Sequence, residues 1–329
     1  MTSNERFKKV LNFQKPDRMP VIEWAPWWHL TIDRWHKEGM PAEIYTTYDV
    51  CKYFGLDPVD CFYMDVSFNL PAPKEVGGGL IETEEDYNNL KKECDIFGPI
   101  PQNLIDGCKK HQEEDGAAVW LWHSGFFWAP RALLGIEPHL YAFYDDPDLL
   151  WKINEDCLEG LYRRVDSITN NLDIAFIVLG DDMSYNHGPM LSEKVFKEQL
   201  APFYKQASDF IKSKGIKVII DSDGLVDEPI RWYREAGCQG FLPLEKQAGV
   251  DLNKYRQWYP DYLFVGGFDK LCMDKGESAM RQEFERLLPV MKQGGYILGV
   301  DHQTPPNVSI DDYRLYVELL REYAQKAVE

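Results

Sequence analysis

Short apolar or aromatic runs alternate along this chain with longer stretches in which apolar positions recur every three or four residues. Short runs bounded by turn residues read as buried strands, and the three- and four-residue spacing reads as amphipathic helix. The pattern predicts strands at 19–24, 59–65, 117–123, 174–182, 217–223, 240–245, 263–269 and 295–302. Strands alternating with helices mean parallel strands joined by crossover helices, and eight such units close a barrel. The predicted fold is therefore α/β, a (β/α)8 TIM barrel forming a single domain over 1–329.

Three helical stretches carry end signals. The first, 146–171, repeats apolar residues at helical spacing. The second, 192–215, opens on Ser192 and closes on Gly215, a glycine suited to the left-handed residue after a helix. Pro202 inside it predicts a kink or break, because proline lacks the N–H that a helix interior uses. The third, 309–329, begins with a Ser cap at Ser309. The stretch 70–116, with PAPKEVGGG in it, breaks the rhythm. It reads as an insertion after strand two, a β-arm followed by a helix, and not as a separate domain. There is no internal repeat and no low-complexity segment.

Polar residues fall at the ends of the apolar runs. Strand one ends in Glu23 and Trp24, strand two in Asp65, strand three in His123 and strand four in Asp181 and Asp182. Strand five ends in Asp221 and Asp223, strand six in Glu245, strand seven in Asp269, and strand eight in Asp301 and His302. In a barrel these ends converge on the face where active sites are built. Each also has a plainer reading. Asp269 fits the cap of the next helix, Asp301 a hydrogen bond to nearby backbone, and His123 a core histidine. Polar residues at all eight ends are poorly explained by caps alone.

The tightest constellation is Asp221-Ser222-Asp223-Gly224. Side chains two apart on a strand share a face, with Cα atoms roughly 6.5–7 Å apart. Both carboxylates can reach one ion, and Glu245 and His302 can complete a set of Asp, Glu and His ligands of the kind that holds a catalytic Zn²⁺. The alternative is a metal-free network of carboxylates sharing protons with His302.

Composition narrows the function classes. Thirty-six basic residues against 54 acidic ones give a net charge of −18. That excess disfavours nucleic-acid and anionic-membrane partners, both of which need a basic face. Seven cysteines without a C-x-x-C pair read as free thiols in a reducing compartment. The opening MTSNERFKKV has no apolar leader core, and no apolar run approaches the roughly 18 residues of a membrane span. A cytoplasmic protein is expected. Ten Trp are many, and such rings either fill cores or line pockets for flat ligands.

The chain resembles the uroporphyrinogen decarboxylase superfamily along essentially its full length. ERFKKVLNFQKPDRMPV is similar to the opening helix and first strand of that superfamily. GPMLSEKVFKEQLAPFYKQ resembles its fourth helix entry, and GGYILGVDHQTPPNVSIDDYRLYVELL its last strand and helix. Decarboxylating members carry an arginine-bearing loop after strand one, similar to Met-Arg-Gln-Ala-Gly-Arg. Here that place reads WAPWWHLTIDRWHKEG, with Trp24, Trp27, Trp28 and His29 at its head. An octa-anionic tetrapyrrole facing an acidic mouth without that clamp is electrostatically unfavourable, so tetrapyrrole decarboxylation is kept as the alternative.

The branch implied instead is that of zinc-dependent, corrinoid-linked methyltransferases. Thiol-methylating members resemble one another in His-x-Cys-Gly after strand five and a late Cys. By position these become Asp221, Asp223 and His302 here. Oxygen and nitrogen ligands make a harder Lewis acid, suited to polarising an ether oxygen. The resemblance thus implies an O-demethylase component that moves a methyl group from a methoxylated aromatic substrate to the cobalt of a cobalamin-type corrinoid carried by a partner protein. Zn²⁺ at Asp221, Asp223, Glu245 and His302 is the expected cofactor. Asp182 or His187 is the expected acid. Glu23, Trp24, Trp28, Asp65, His123, Phe127 and Tyr185 are the expected substrate contacts, with Tyr63, Trp27, Phe126 and Trp128 near them. A homo-oligomer is compatible with the sequence.

Overall fold

A computed structural model describes residues 1–329. Its main sheet has seven strands: β1 (Val59–Met64), β2 (Ala118–Ser124), β3 (Ile174–Gly180), β4 (Lys217–Asp221), β5 (Gly240–Leu242), β6 (Leu263–Phe268) and β7 (Tyr296–Val300), ordered as they occur in the chain. The β3–β4, β5–β6 and β6–β7 pairs are parallel, with helices in the connections. The chain is thus an α/β protein built on a parallel sheet.

It divides into two compact units. One comprises 1–60, 110–119 and 240–329, the other 61–109 and 120–239. The strands β2 and β3 are buried at every position. Strands covered on both faces read as unbroken apolar runs, which is why they stand out in the sequence. The helix Pro147–Thr169 starts where Asp146 accepts from the Leu149 N–H, with proline in its first turn. It buries Leu149, Ile153, Cys157, Leu161, Val165 and Ile168 along one stripe. Pro202 makes its mark as expected: a π-turn at Phe196–Leu200 precedes the regular helix Ala201–Ser213 and absorbs the missing donor. Gly215 follows with φ +76°.

In the first unit, the helix Ile310–Lys326 opens on a capping box between Ser309 and Asp312. Asp269 caps the turn Lys270–Lys275 by accepting from the Leu271 N–H.

Two expectations need correction. Residues 19–24 form no ladder strand. Pro20 has no donor, the Val21 N–H goes to the Asp57 carboxylate at 3.0 Å, and Val300 N–H donates to Glu23 Oε1 at 3.0 Å. Side chains stand where a ladder partner would, and the segment stays buried. The insertion contains no β-arm. It is a glycine-rich loop followed by two helices, Glu84–Glu93 and Gln102–Asp115. The two prolines and three consecutive glycines of PAPKEVGGG cannot sustain a strand. No helix is long and apolar enough to cross a membrane.

Candidate functional site

In the second unit the ends of β3 and β4 bring three carboxylates together. Gly180 pairs with Asp221 in register, and the Asp181 N–H donates to the Asp221 carbonyl at 2.8 Å. The chain then turns through Asp182, which adopts φ +46°, an uncommon conformation for a residue with a side chain. The turn aims its carboxylate back at β4, where Asp182 Oδ1 accepts from the Asp223 N–H at 3.3 Å. One carboxylate oxygen from each of Asp182, Asp221 and Asp223 lies within 4.8 Å of the other two. Gly224, at φ +81°, keeps the next turn closed: a Cβ there would stand 2.6 Å from the Tyr185 backbone.

Asp221 is the electrostatic centre. Burial pushes its carboxyl well above the ordinary range, and Asp182 and Asp223 push it further. Opposing them, Trp122 Nε1 donates to Asp221 Oδ2 at 2.6 Å. Trp122 in turn stacks on Tyr63, centroids 4.4 Å apart. Gly180 makes room for that indole, because a Cβ would fall 1.8 Å from it. Tyr185 and His187 lie on the short hairpin that follows, with rings edge to face.

Asp181 points the other way. It is buried and accepts from the Tyr204 and Tyr233 hydroxyls and from the Phe127 N–H. Burial dominates and pushes its carboxyl up to about 6, while the two tyrosines pull it down. Asp65 accepts from the Ser67 N–H and from Trp128 Nε1 at 3.2 Å. His123 and Phe127 have no exposed surface. His123 Nδ1 faces the Ser124 carbonyl at 2.7 Å, and burial with Arg164 nearby pushes the imidazole down to about 3. Phe127 packs against His139 and Phe143.

The remaining expected residues lie in the first unit. Glu23 is fully buried and pushed up to about 8, chiefly by burial. Trp24 Nε1 donates to the Val300 carbonyl at 2.6 Å. Trp28 is 41% exposed. Glu245 lies 3.7 Å from Lys270 Nζ, and Asp301 lies 3.9 Å from it. Asp301 also accepts from the Lys246 and Lys270 backbone N–H groups. Burial lowers the His302 imidazole, Lys270 lowers it further, and Glu245 opposes both.

The uroporphyrinogen decarboxylase (URO-D) family model matches residues 139–323, more than half of the chain. The chain belongs to the URO-D family. No curated protein sequence matches it. Among solved structures, a methyltransferase from Methanosarcina mazei is similar at TM-score 0.65 and 13% identity, covering 98% of this chain and 99% of that one. At that identity the likeness is one of fold. A D-tagatose 3-epimerase-like protein is similar at TM-score 0.43 and 10% identity, covering 81% and 97%.

The stretch matched to the URO-D family contains Asp182, His187, Asp221, Asp223, Glu245 and His302. Glu23, Trp24, Trp28, Asp65, His123 and Phe127 precede it. The structure gathers Asp182 with Asp221 and Asp223 in one unit, and Glu245 with Lys270 and His302 in the other. Trp122 and Lys270 are partners that the sequence reading did not name. Strand-end logic looks for acids and histidines, so it passes over an indole one turn of the pleat before the end and a lysine after a capping aspartate.

The aspartate cluster fits a divalent cation in its donor chemistry. Carboxylate oxygens are hard ligands, acceptable to Zn²⁺ and better suited to Mg²⁺ or Mn²⁺. Three carboxylates so close, one of them deeply buried, need a cation or shared protons.

Proposed function

We propose that this chain is a methyltransferase. It takes a methyl group from a methoxylated, aromatic substrate and passes it to the cobalt of a corrinoid carried by a separate protein. The observation that carries the reading is the cluster of Asp182, Asp221 and Asp223. The full-length fold likeness to a methyltransferase supports it. The finer architecture proposed is a closed (β/α)8 barrel. The buried segment 19–24 would serve as its remaining stave, since the Val21 carbonyl accepts from the Asp57 N–H at 2.8 Å, just ahead of β1.

Demethylation of an aryl ether breaks the methyl C–O bond. The methyl group goes to the acceptor cobalt and the electron pair stays on oxygen, which then needs a positive partner or a proton. A divalent metal, Zn²⁺ or the harder Mg²⁺ or Mn²⁺, would be held by Asp182, Asp221 and Asp223 and would supply Lewis acidity at that oxygen. His187, on the hairpin beside the cluster, is the proposed proton donor. Tyr63 and Trp122 offer a stacked aromatic shelf against which a flat ring can lie, and Tyr185 a hydroxyl for its substituents.

The test is a methoxyarene panel incubated with zinc-supplemented protein and a reduced corrinoid protein. Formation of a phenol together with methylated corrinoid is the expected result, and no turnover of any member removes the assignment. The second reading, tetrapyrrole decarboxylation, follows from the family description. Conversion of uroporphyrinogen to coproporphyrinogen would establish it in place of methyl transfer.

A further inference from the structure

A cavity of about 1220 Å³ in the second unit lies between the glycine-rich loop and the helix Ile136–Asp145. The wall segments come after β1 and β2 in the chain, as Asp182 comes after β3, while Asp221 is the last residue of β4. They are fixed in shape. Leu80 N–H donates to the Leu133 carbonyl at 2.7 Å, and Ile136 N–H to the Gly77 carbonyl at 3.0 Å. A Cβ on Gly79 would stand 2.2 Å from the Leu134 carbonyl oxygen. Backbone lies directly on backbone, so the groove is built rather than left by a slack loop.

Its surface has two characters. Val76 at the loop tip is 105% exposed, Tyr141 58% and Ile136 46%. Such an apolar set on a fixed groove marks an interaction site more often than a bare surface. Around it stand Glu75, Glu82, Asp86, Glu137, Asp145 and Asp146, against Lys74 alone. Asp86 and Asp146 are occupied as helix caps, and Glu137 accepts from the Tyr141 hydroxyl. Glu75, Glu82 and Asp145 make no ion pair within the chain.

We infer that this groove docks a basic amphipathic helix of a partner protein. An apolar face would cover Val76, Ile136 and Tyr141 while lysines or arginines meet the acidic rim. A helix about 10 Å across fills such a volume with roughly ten residues, about three turns. Small ligands usually take smaller, more enclosed sites, and nucleic acid or anionic lipid would be repelled. The inference stands whether or not the chain transfers methyl groups.

The probe is a fluorescein-labelled 14-residue amphipathic helix of leucine and lysine, with a scrambled peptide of the same composition beside it. Fluorescence anisotropy reads its binding to the whole protein. Glu137→Lys with Asp145→Lys should weaken binding about tenfold or more, since charge reversal at contact acts on that scale. The same charge change elsewhere, Glu159→Lys with Asp311→Lys, should cost less than about threefold, by screening. Val76→Asp alters no internal contact and should also weaken binding, which keeps the test sound if the double variant melts early. Equal loss in both double variants, or equal binding of the scrambled peptide, overturns the proposal. So does a wild-type dimer that Val76→Asp converts to monomer, because the occupant would then be a second copy of this chain.

Discussion

Trp122 Nε1 donates to Asp221 Oδ2 at 2.6 Å, and this bond opposes every other influence on that carboxyl. Burial, Asp182 and Asp223 all favour the neutral acid, and the indole favours the carboxylate. Trp122→Phe keeps the stacking area on Tyr63 and removes only the donor. Loss of an outer partner of a ligand typically costs about 10- to 100-fold in metal affinity. The expected result is a fall of that size for Mn²⁺ or Zn²⁺ by titration calorimetry, with the onset of binding moved to higher pH. An unchanged isotherm would mean that Asp221 holds no ion.

The cluster itself is tested by thermal melting. A ligand that binds only the folded state stabilises it by about 2.7 kcal/mol at 100 times its dissociation constant. Divalent ion should therefore raise the melting temperature of the wild type measurably. Asp182→Asn, Asp221→Asn and Asp223→Asn should each abolish the rise. Metal-free Asp221→Asn should be at least as stable as the wild type at neutral pH, because it removes a buried acid whose ionisation is opposed. If the three variants keep the ion-dependent rise, the ion sits elsewhere.

Glu23 supplies a pH test. Its folded carboxyl is raised from 4.5 to about 8, first by burial. Between these values the unfolded chain has released the proton and the folded chain still holds it. Stability at this group is therefore undiminished below about pH 4.5 and falls as pH rises towards 8. The full loss is on the order of 5 kcal/mol by the linkage relation. Glu23→Gln retains an acceptor for the Val300 N–H and cannot ionise. Its stability relative to wild type should rise steadily from pH 5 to pH 8 in denaturant titrations. A gap that stays constant across that range would show that Glu23 is not buried as an acid.

Much of this could be read from residue order, and the exceptions have physical causes. Six of the seven strands lie inside predicted runs and β2 overruns its run only by Ser124, because buried parallel strands leave long apolar words in a sequence. Segment 19–24 reads the same way and is just as buried, yet Asp57 and Glu23 replace its ladder partners with side-chain bonds that no periodicity encodes. Asp221 and Asp223 are legible as a pair because they share a strand face. Asp182 joins them only through its left-handed backbone, which the sequence does not announce. Trp122 is hidden for a similar reason: its role depends on Gly180 lying across from it on the neighbouring strand.

The last prediction concerns Asp181, which orients the turn into Asp182 without joining the cluster. Its carboxyl, at about 6, is lifted mainly by burial and held down by the Tyr204 and Tyr233 hydroxyls and backbone donors. Tyr233→Phe removes one of those donors inside a buried site. A hydrogen bond to a charged group contributes about 1.5–3 kcal/mol, so a loss of that order is expected at pH 8, where wild-type Asp181 is ionised. Loss of the donor also raises the carboxyl further above its unfolded value near 3.8. A raised acid costs nothing below pH 3.8 and progressively more as pH climbs through the folded value. The gap between wild type and Tyr233→Phe should accordingly be smallest near pH 4 and widest above pH 7, measured by urea unfolding across that range. A gap that narrows with rising pH would mean that Asp181 is protonated throughout and that the tyrosines only pack.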